Sequence, residues 1–131
     1  MSNKIKKTDT QWKAQLNEEQ YQVCRQKGTE RAFSGQYWDC RDMGIYRCAC
    51  CGAPLFNSES KFDSGTGWPS FTQPEKPEGV QERQDNDLAM QRTEILCSRC
   101  GAHLGHVFDD GPQPDGRRYC INSVALDLKK K

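Results

Sequence analysis

A chain of 131 residues with 34% hydrophobic content and a formal net charge of +1 suits one compact domain. Its 19 basic and 18 acidic residues are interleaved, which argues against a nucleic-acid surface, and no apolar run reaches the length of a membrane span. So lean a hydrophobic content calls for a staple, and eight cysteines supply the material for one.

In chain order, residues 1–9 read as a polar N-terminal arm, 10–128 as one domain and 129–131 as a lysine tail. Met1 to Thr10 carries no apolar run of the kind that opens a secretory leader. The expectation is therefore a cytoplasmic protein in a reducing compartment, where cysteine pairs serve as metal ligands or reactive thiols rather than disulfides. Trp12 and Leu16, four apart, suggest a short helical turn. Asn17 followed by Gln20 is a capping-box arrangement, and Gly28 stands where a helix would stop, which predicts a helix over 18–27. From Met43 onward the pattern changes to short strands between glycines and prolines, at Ile45–Cys48, Arg92–Cys97, Gly105–Phe108 and Arg118–Leu126. Thr72–Met90 reads as a long surface loop and Asp109–Arg117 as a turn-rich segment, so the fold class is mainly β with N-terminal helices.

One short unit occurs twice. Cys48-Ala49-Cys50-Cys51-Gly52-Ala53-Pro54-Leu55 and Cys97-Ser98-Arg99-Cys100-Gly101-Ala102-His103-Leu104 both read C-x-x-C-G-A-x-L. Each pair puts two thiolates on one tight turn, the glycine tolerating the positive φ that such a turn needs. Two matched copies predict a single zinc ion held by Cys48, Cys51, Cys97 and Cys100. The register of the repeat selects Cys51 over Cys50. Four thiolates close the coordination shell, so the metal is expected to be structural and the chemistry to lie elsewhere.

Cys24, Cys40, Cys50 and Cys120 remain, and Cys120 has the most informative setting. Arg117 and Arg118 precede it, and their charges would lower a thiol pKa. On a strand from Arg118 to Leu126, side-chain alternation places Arg118, Cys120 and Asn122 on one face, a cation, a thiol and an amide in a row. The competing interpretation is a buried structural cysteine. The two histidines, His103 and His106, follow the second metal pair closely. With the metal shell filled they are free for acid–base work, and whether one or both face Cys120 stays open. In Ser64-Gly65-Thr66-Gly67-Trp68-Pro69-Ser70-Phe71, two glycines and a proline shape a loop that can present the indole of Trp68 as a wall for a thioether, unless Trp68 is simply a core residue.

Together these residues resemble the methionine-R-sulfoxide reductases, the B type. The matching elements, in family order, are Gly28-Thr29-Glu30 with Phe33-Ser34-Gly35, both C-x-x-C units, the S-G-x-G-W-P-S-F loop at 64–71, His103-Leu104-Gly105-His106-Val107-Phe108, Asp110-Gly111-Pro112 and Arg118-Tyr119-Cys120-Ile121-Asn122-Ser123. The resemblance implies two antiparallel sheets in a rolled, tent-like sandwich stapled by zinc far from the chemistry. It also implies a Cys120 thiolate attacking the sulfoxide sulfur, His103 and His106 managing the proton, Asn122 and Arg118 positioning and polarising the site, and Trp68 and Phe108 binding substrate. A cysteine sulfenic acid would then condense with a second thiol, and thioredoxin would reduce the disulfide. One departure matters: many family members carry the resolving cysteine where this chain has Thr66. Cys24 and Cys40 are the candidates to replace it, Cys50 is less suited beside the zinc, and an external thiol is the remaining route. The partners implied are oxidised methionine in proteins and thioredoxin, with no nucleic acid or membrane, and the chain is expected to be monomeric. Two rival readings are a zinc-ribbon binding module, which explains the four ligands alone, and a cysteine hydrolase, for whose oxyanion hole no motif appears.

Overall fold

In a computed structural model the described residues are 7–85, 92–112 and 116–130, and the expected arm at 1–9 and the end of the loop at 72–90 lie largely or partly outside them. Two short helices open the chain. In α1 (Asp9–Gln15) the Thr8 side chain and Gln11 form a reciprocal capping box, and in α2 (Glu18–Gln26) Asn17 and Gln20 repeat it. Each box satisfies two of the four amide donors that a helix start leaves free, worth about 1 kcal/mol per cap. α2 ends where expected, although the left-handed residue is Lys27 (φ 60°) and not Gly28, whose amide donates back to Gln22. Tyr21 and Cys24 turn inward, and Trp12 of α1 and Leu16, which caps its end, are buried in the same core.

The rest is two antiparallel sheets. The smaller has the order β2–β1–β9, from Pro54–Asn57, Gly44–Cys48 and Leu126–Lys130. The larger runs β3–β4–β8–β7–β6–β5, from Lys61–Phe62, Ser70–Phe71, Arg118–Ile121, His103–Phe108, Arg92–Cys97 and Val80–Asp85. Tyr46 of the first sheet meets Phe71 of the second edge to face at 5.3 Å between centroids. Phe71 also stacks on Phe56 at 4.4 Å, pairs of a kind worth about 0.5–1.5 kcal/mol beyond their buried area. Leu55, Ile95, Leu104 and Ile121 complete this fully buried centre. Among the described residues, no helix is long and apolar enough to cross a membrane.

Three sequence-based boundaries are corrected. The expected strand from Arg118 to Leu126 is two strands in different sheets. β8 stops at Ile121, a 3-10 turn over Ser123–Ala125 follows, and β9 begins at Leu126. The Asn122 amide bonds the Leu104 carbonyl and the Ala125 amide bonds the Asn122 carbonyl, so the chain leaves one sheet for the other without stranding backbone groups. The long loop expected over 72–90 contains a 3-10 turn at Pro77–Gly79 and the edge strand β5, whose exposed, charged residues hide the strand pattern. Lys129 and Lys130, expected in a tail, pair with Ile45 and Gly44 in β9, their side chains remaining in solvent.

Candidate active site

The repeated unit folds as two matched turns. Gly52 and Gly101 donate to the Cys48 and Cys97 carbonyls at 2.8 Å each, and Cys48 and Cys97 donate to the Ala53 and Ala102 carbonyls at 2.8 and 2.9 Å. The two glycines have φ of 78° and 76°, a region closed to most side chains. The turns face each other, one from each sheet, and the sulfurs of Cys48, Cys51, Cys97 and Cys100 all lie within 4.8 Å of one another. Cys48 and Cys100 are 3.6 Å apart, as are Cys51 and Cys97. A tetrahedron of sulfurs about 2.3 Å from a zinc ion has edges of about 3.8 Å, so the donor set fits that ion. Arg25 reinforces the fit, because its guanidinium donates to the Cys100 carbonyl at 3.0 Å and approaches Cys100 Sγ at 3.7 Å while lying over the Trp12 ring. The four cysteines thus join both sheets and, through Arg25, the second helix. Cys50 is buried and its carbonyl accepts from Gln15.

Cys120 lies in a cleft of about 230 Å³ lined by Thr66, Trp68, Arg92, His106, Phe108, Arg118 and Asn122. None of the four cage cysteines lines it. Strand register brings its members together. Cys120 on β8 is directly opposite His106 on β7 and Ser70 on β4, and Phe108 is opposite Arg118. Residues opposite one another across antiparallel strands project to the same face. Gly105 permits the close pairing, since a Cβ there would come 2.0 Å from the Cys120 carbonyl oxygen.

Arg118 and Cys120 are half-buried on the cleft side while Tyr119 and Ile121 enter the core, the alternation expected of β8. Arg118 grips Asp110 through Nε at 2.9 Å and Nη2 at 3.2 Å, and its guanidinium lies 4.5 Å over the Phe108 ring. The expected lowering of the Cys120 thiol is corrected. Burial pushes it above the ordinary value and outweighs the Thr66 hydroxyl and the Arg118 charge, both of which pull it down. Arg117 turns away to Glu82 at 3.1 Å and onto the Tyr119 ring.

The two histidines divide. His106 lines the cleft, whereas His103 is 3% exposed and does not. His103 Nδ1 lies 2.6 Å from Glu94 Oε2, which assigns the proton to Nδ1 between them, and Nε2 has no hydrogen-bond partner among the described residues. The rings of His103 and His106 are 5.5 Å apart. Burial lowers the His103 pKa, with Glu94 opposing. Lys27, at the end of α2, puts its ammonium 3.7 Å from Glu94 Oε1.

Asn122 lies past the end of β8, and both polar atoms of its side chain are engaged. Oδ1 accepts from the Glu30 amide at 2.9 Å and Nδ2 donates to the Leu104 carbonyl at 3.0 Å. The Glu30 carbonyl in turn accepts the Trp68 indole N–H at 3.0 Å, and Glu30 Oε1 accepts from the Val124 amide at 3.0 Å. Glu94 and Glu30 escaped the sequence reading as individual residues. The signal for Glu94 was an acid in the middle of a strand otherwise ending Ile-Leu-Cys, and for Glu30 nothing local marked it as buried. Of the spare thiols, Cys24 is 3% exposed on α2, whereas Cys40 is half-buried in the segment before β1 and lines a separate cleft of about 310 Å³ with Lys61 and Phe62.

The SelR domain matches residues 16–130 of the chain. A protein of Thiobacillus denitrificans named peptide methionine sulfoxide reductase MsrB is 60% identical over 131 residues, covering 100% of this chain and 99% of that protein. Proteins of the same name from Hahella chejuensis (60% identical, covering 95% of this chain and 89% of that one) and Acinetobacter baumannii (56%, covering 96% and 91%) are similarly close.

Proposed function

The chain belongs to the SelR-domain family of the MsrB peptide methionine sulfoxide reductases, and from that membership we propose that it reduces methionine-R-sulfoxide in proteins to methionine, with Cys120 as the nucleophile. The observation that carries the assignment of roles is the direct register of Cys120 with His106 inside a cleft walled by Trp68 and Phe108. The Cys120 thiolate attacks the sulfoxide sulfur, and the sulfoxide oxygen takes up a proton managed by His106. The oxygen ends on Cys120 as a sulfenic acid while the thioether departs as methionine. His103, turned to Glu94 and packed against His106, orients that ring rather than touching substrate. Arg118 polarises the site while Asp110 fixes its direction. Trp68 and Phe108 supply the apolar walls for the substrate's methyl and methylene groups. Asn122 positions Trp68 through the Glu30 peptide.

Cys48, Cys51, Cys97 and Cys100 would hold one structural zinc ion, which contributes rigidity between the sheets and no chemical step. A second thiol condenses with the sulfenic acid, releasing water, and the thioredoxin dithiol reduces the disulfide. Cys40 is the better internal candidate, because Cys24 would have to leave the core. The reading includes a monomeric cytoplasmic enzyme whose catalytic domain extends through β9 to Lys130.

The test is dithiothreitol-driven reduction of separated R and S dabsyl-methionine sulfoxide by the zinc-loaded wild type and Cys120→Ser. Turnover of the R epimer that vanishes in the variant is expected. Turnover of neither epimer by the wild type sinks the proposal.

A further inference from the structure

We propose that Thr66, backed by Ser64 and Ser70, is a positioning residue that stabilises the Cys120 thiolate through a chain of three hydroxyls ending on the Trp68 carbonyl. The proposal rests on the reading of Cys120 as the nucleophile. Thr66 Oγ1 lies 4.0 Å from Cys120 Sγ and 2.8 Å from Ser64 Oγ, Ser64 Oγ lies 2.7 Å from Ser70 Oγ, and Ser70 Oγ donates to the Trp68 carbonyl at 3.1 Å. Ser70 is fully buried and in register with Cys120, so the chain leaves β8 at the sulfur and returns beside it on β4.

Each hydroxyl carries one proton, and this decides how the chain behaves. With Cys120 as a thiol, every donor points one way, from sulfur to Thr66, to Ser64, to Ser70, to the Trp68 carbonyl. On loss of the thiol proton, Thr66 turns to donate to the sulfur, Ser64 turns to Thr66, and Ser70 turns to Ser64. Three torsional rotations accomplish this with no movement of the backbone. A charge-assisted bond then forms at the sulfur, where burial otherwise disfavours charge. Ser70 lets go of the Trp68 carbonyl in the same step, so the state of the thiol reaches the residue that walls the cleft.

The other charged and titratable groups near Cys120 do not duplicate this role. Arg118 on β8 favours the thiolate but is shared with Asp110. Buried Glu30, before β1, opposes it. His106 on β7 and Arg92 on β6 line the same cleft and interact with other groups as well. Thr66 is the neutral donor, able to favour the anion without also attracting the carboxylates that an added cation would attract.

The experiment follows the alkylation of Cys120 by iodoacetamide, mapped by mass spectrometry, from neutral to alkaline pH in the zinc-loaded full chain. Thr66→Val is expected to raise the midpoint by about one unit, roughly a tenfold loss of thiolate at neutral pH. Ser64→Ala is expected to raise it less, and Thr66→Ser to leave it in place. Coincident midpoints for wild type and Thr66→Val, or a Thr66→Ser midpoint as high as that of Thr66→Val, overturn the proposal. Should the valine variant fail to fold, an unmoved Ser64→Ala midpoint overturns it instead. The titration needs no sulfoxide, so its failure is distinct from retained R-sulfoxide turnover in Cys120→Ser, which would remove the nucleophile reading alone.

Discussion

Replacing Asn122 with alanine separates a structural from a substrate-contacting role for that side chain. The substitution removes the 2.9 Å bond from the Glu30 amide and the 3.0 Å bond to the Leu104 carbonyl. Leu104 keeps a donor, because the Asn122 backbone amide also reaches it, but the Glu30 N–H is left buried without a partner. About 1 kcal/mol for the lost bonds and about 1–3 kcal/mol for the stranded donor give a destabilisation of roughly 2–4 kcal/mol. That is a large fraction of a typical domain's stability yet leaves the protein folded. The same loosening frees the Glu30 carbonyl that holds the Trp68 indole, so KM for the R-sulfoxide should rise together with the fall in stability. Urea unfolding and steady-state kinetics read the two effects, and a cycle with Trp68→Phe tests their link. If Asn122 acts through Trp68, the double variant loses less in KM than the sum of the singles. A loss of stability under about 0.5 kcal/mol, within the range of an ordinary surface change, would refute the reasoning, as would additive KM effects.

Thr66→Cys should restore the resolving position, since Thr66 Oγ1 is 4.0 Å from Cys120 Sγ. A disulfide between the introduced thiol and Cys120 after one turnover is expected by mass mapping, and its absence would show that the loop cannot close. Cys51→Ser should lower affinity for added zinc and the unfolding midpoint of the zinc-loaded protein, because the four cysteines join both sheets; unchanged affinity and stability would argue that the other three sulfurs suffice. Burial raises the Glu30 pKa, so the unfolded chain loses this proton at lower pH than the folded one. Stability from this group is therefore greatest below the unfolded pKa and declines as pH rises through the window up to the folded pKa. Glu30→Gln should accordingly gain stability on wild type at neutral pH and little in acid, measured by urea midpoints at both; an equal difference at the two would contradict the burial argument.

Local chemistry made much of this protein legible in one dimension. The Asn17–Gln20 capping box located α2, and the doubled C-x-x-C-G-A-x-L unit located both cysteine turns, because caps and turns are set by residues a few positions apart. The alternation of β8 likewise put Arg118 and Cys120 on one face. Beyond that range the chain was silent. The break at Asn122 and the crossing from one sheet to the other depend on a carbonyl contributed by Leu104, 18 residues earlier. Edge strand β5 carries polar residues on both faces and so has no hydrophobic alternation to read. The direction of the Cys120 shift needed the burial, since neighbouring arginines by themselves argue for a lower value. The separate places of His103 and His106 follow from the Glu94 carboxylate and from strand register, both tertiary facts. Residue identity and short-range chemistry set which groups are present and how the short turns fold. Only the packing of the two sheets decided which of those groups face one another, because desolvation and cross-strand contact arise between residues distant along the chain.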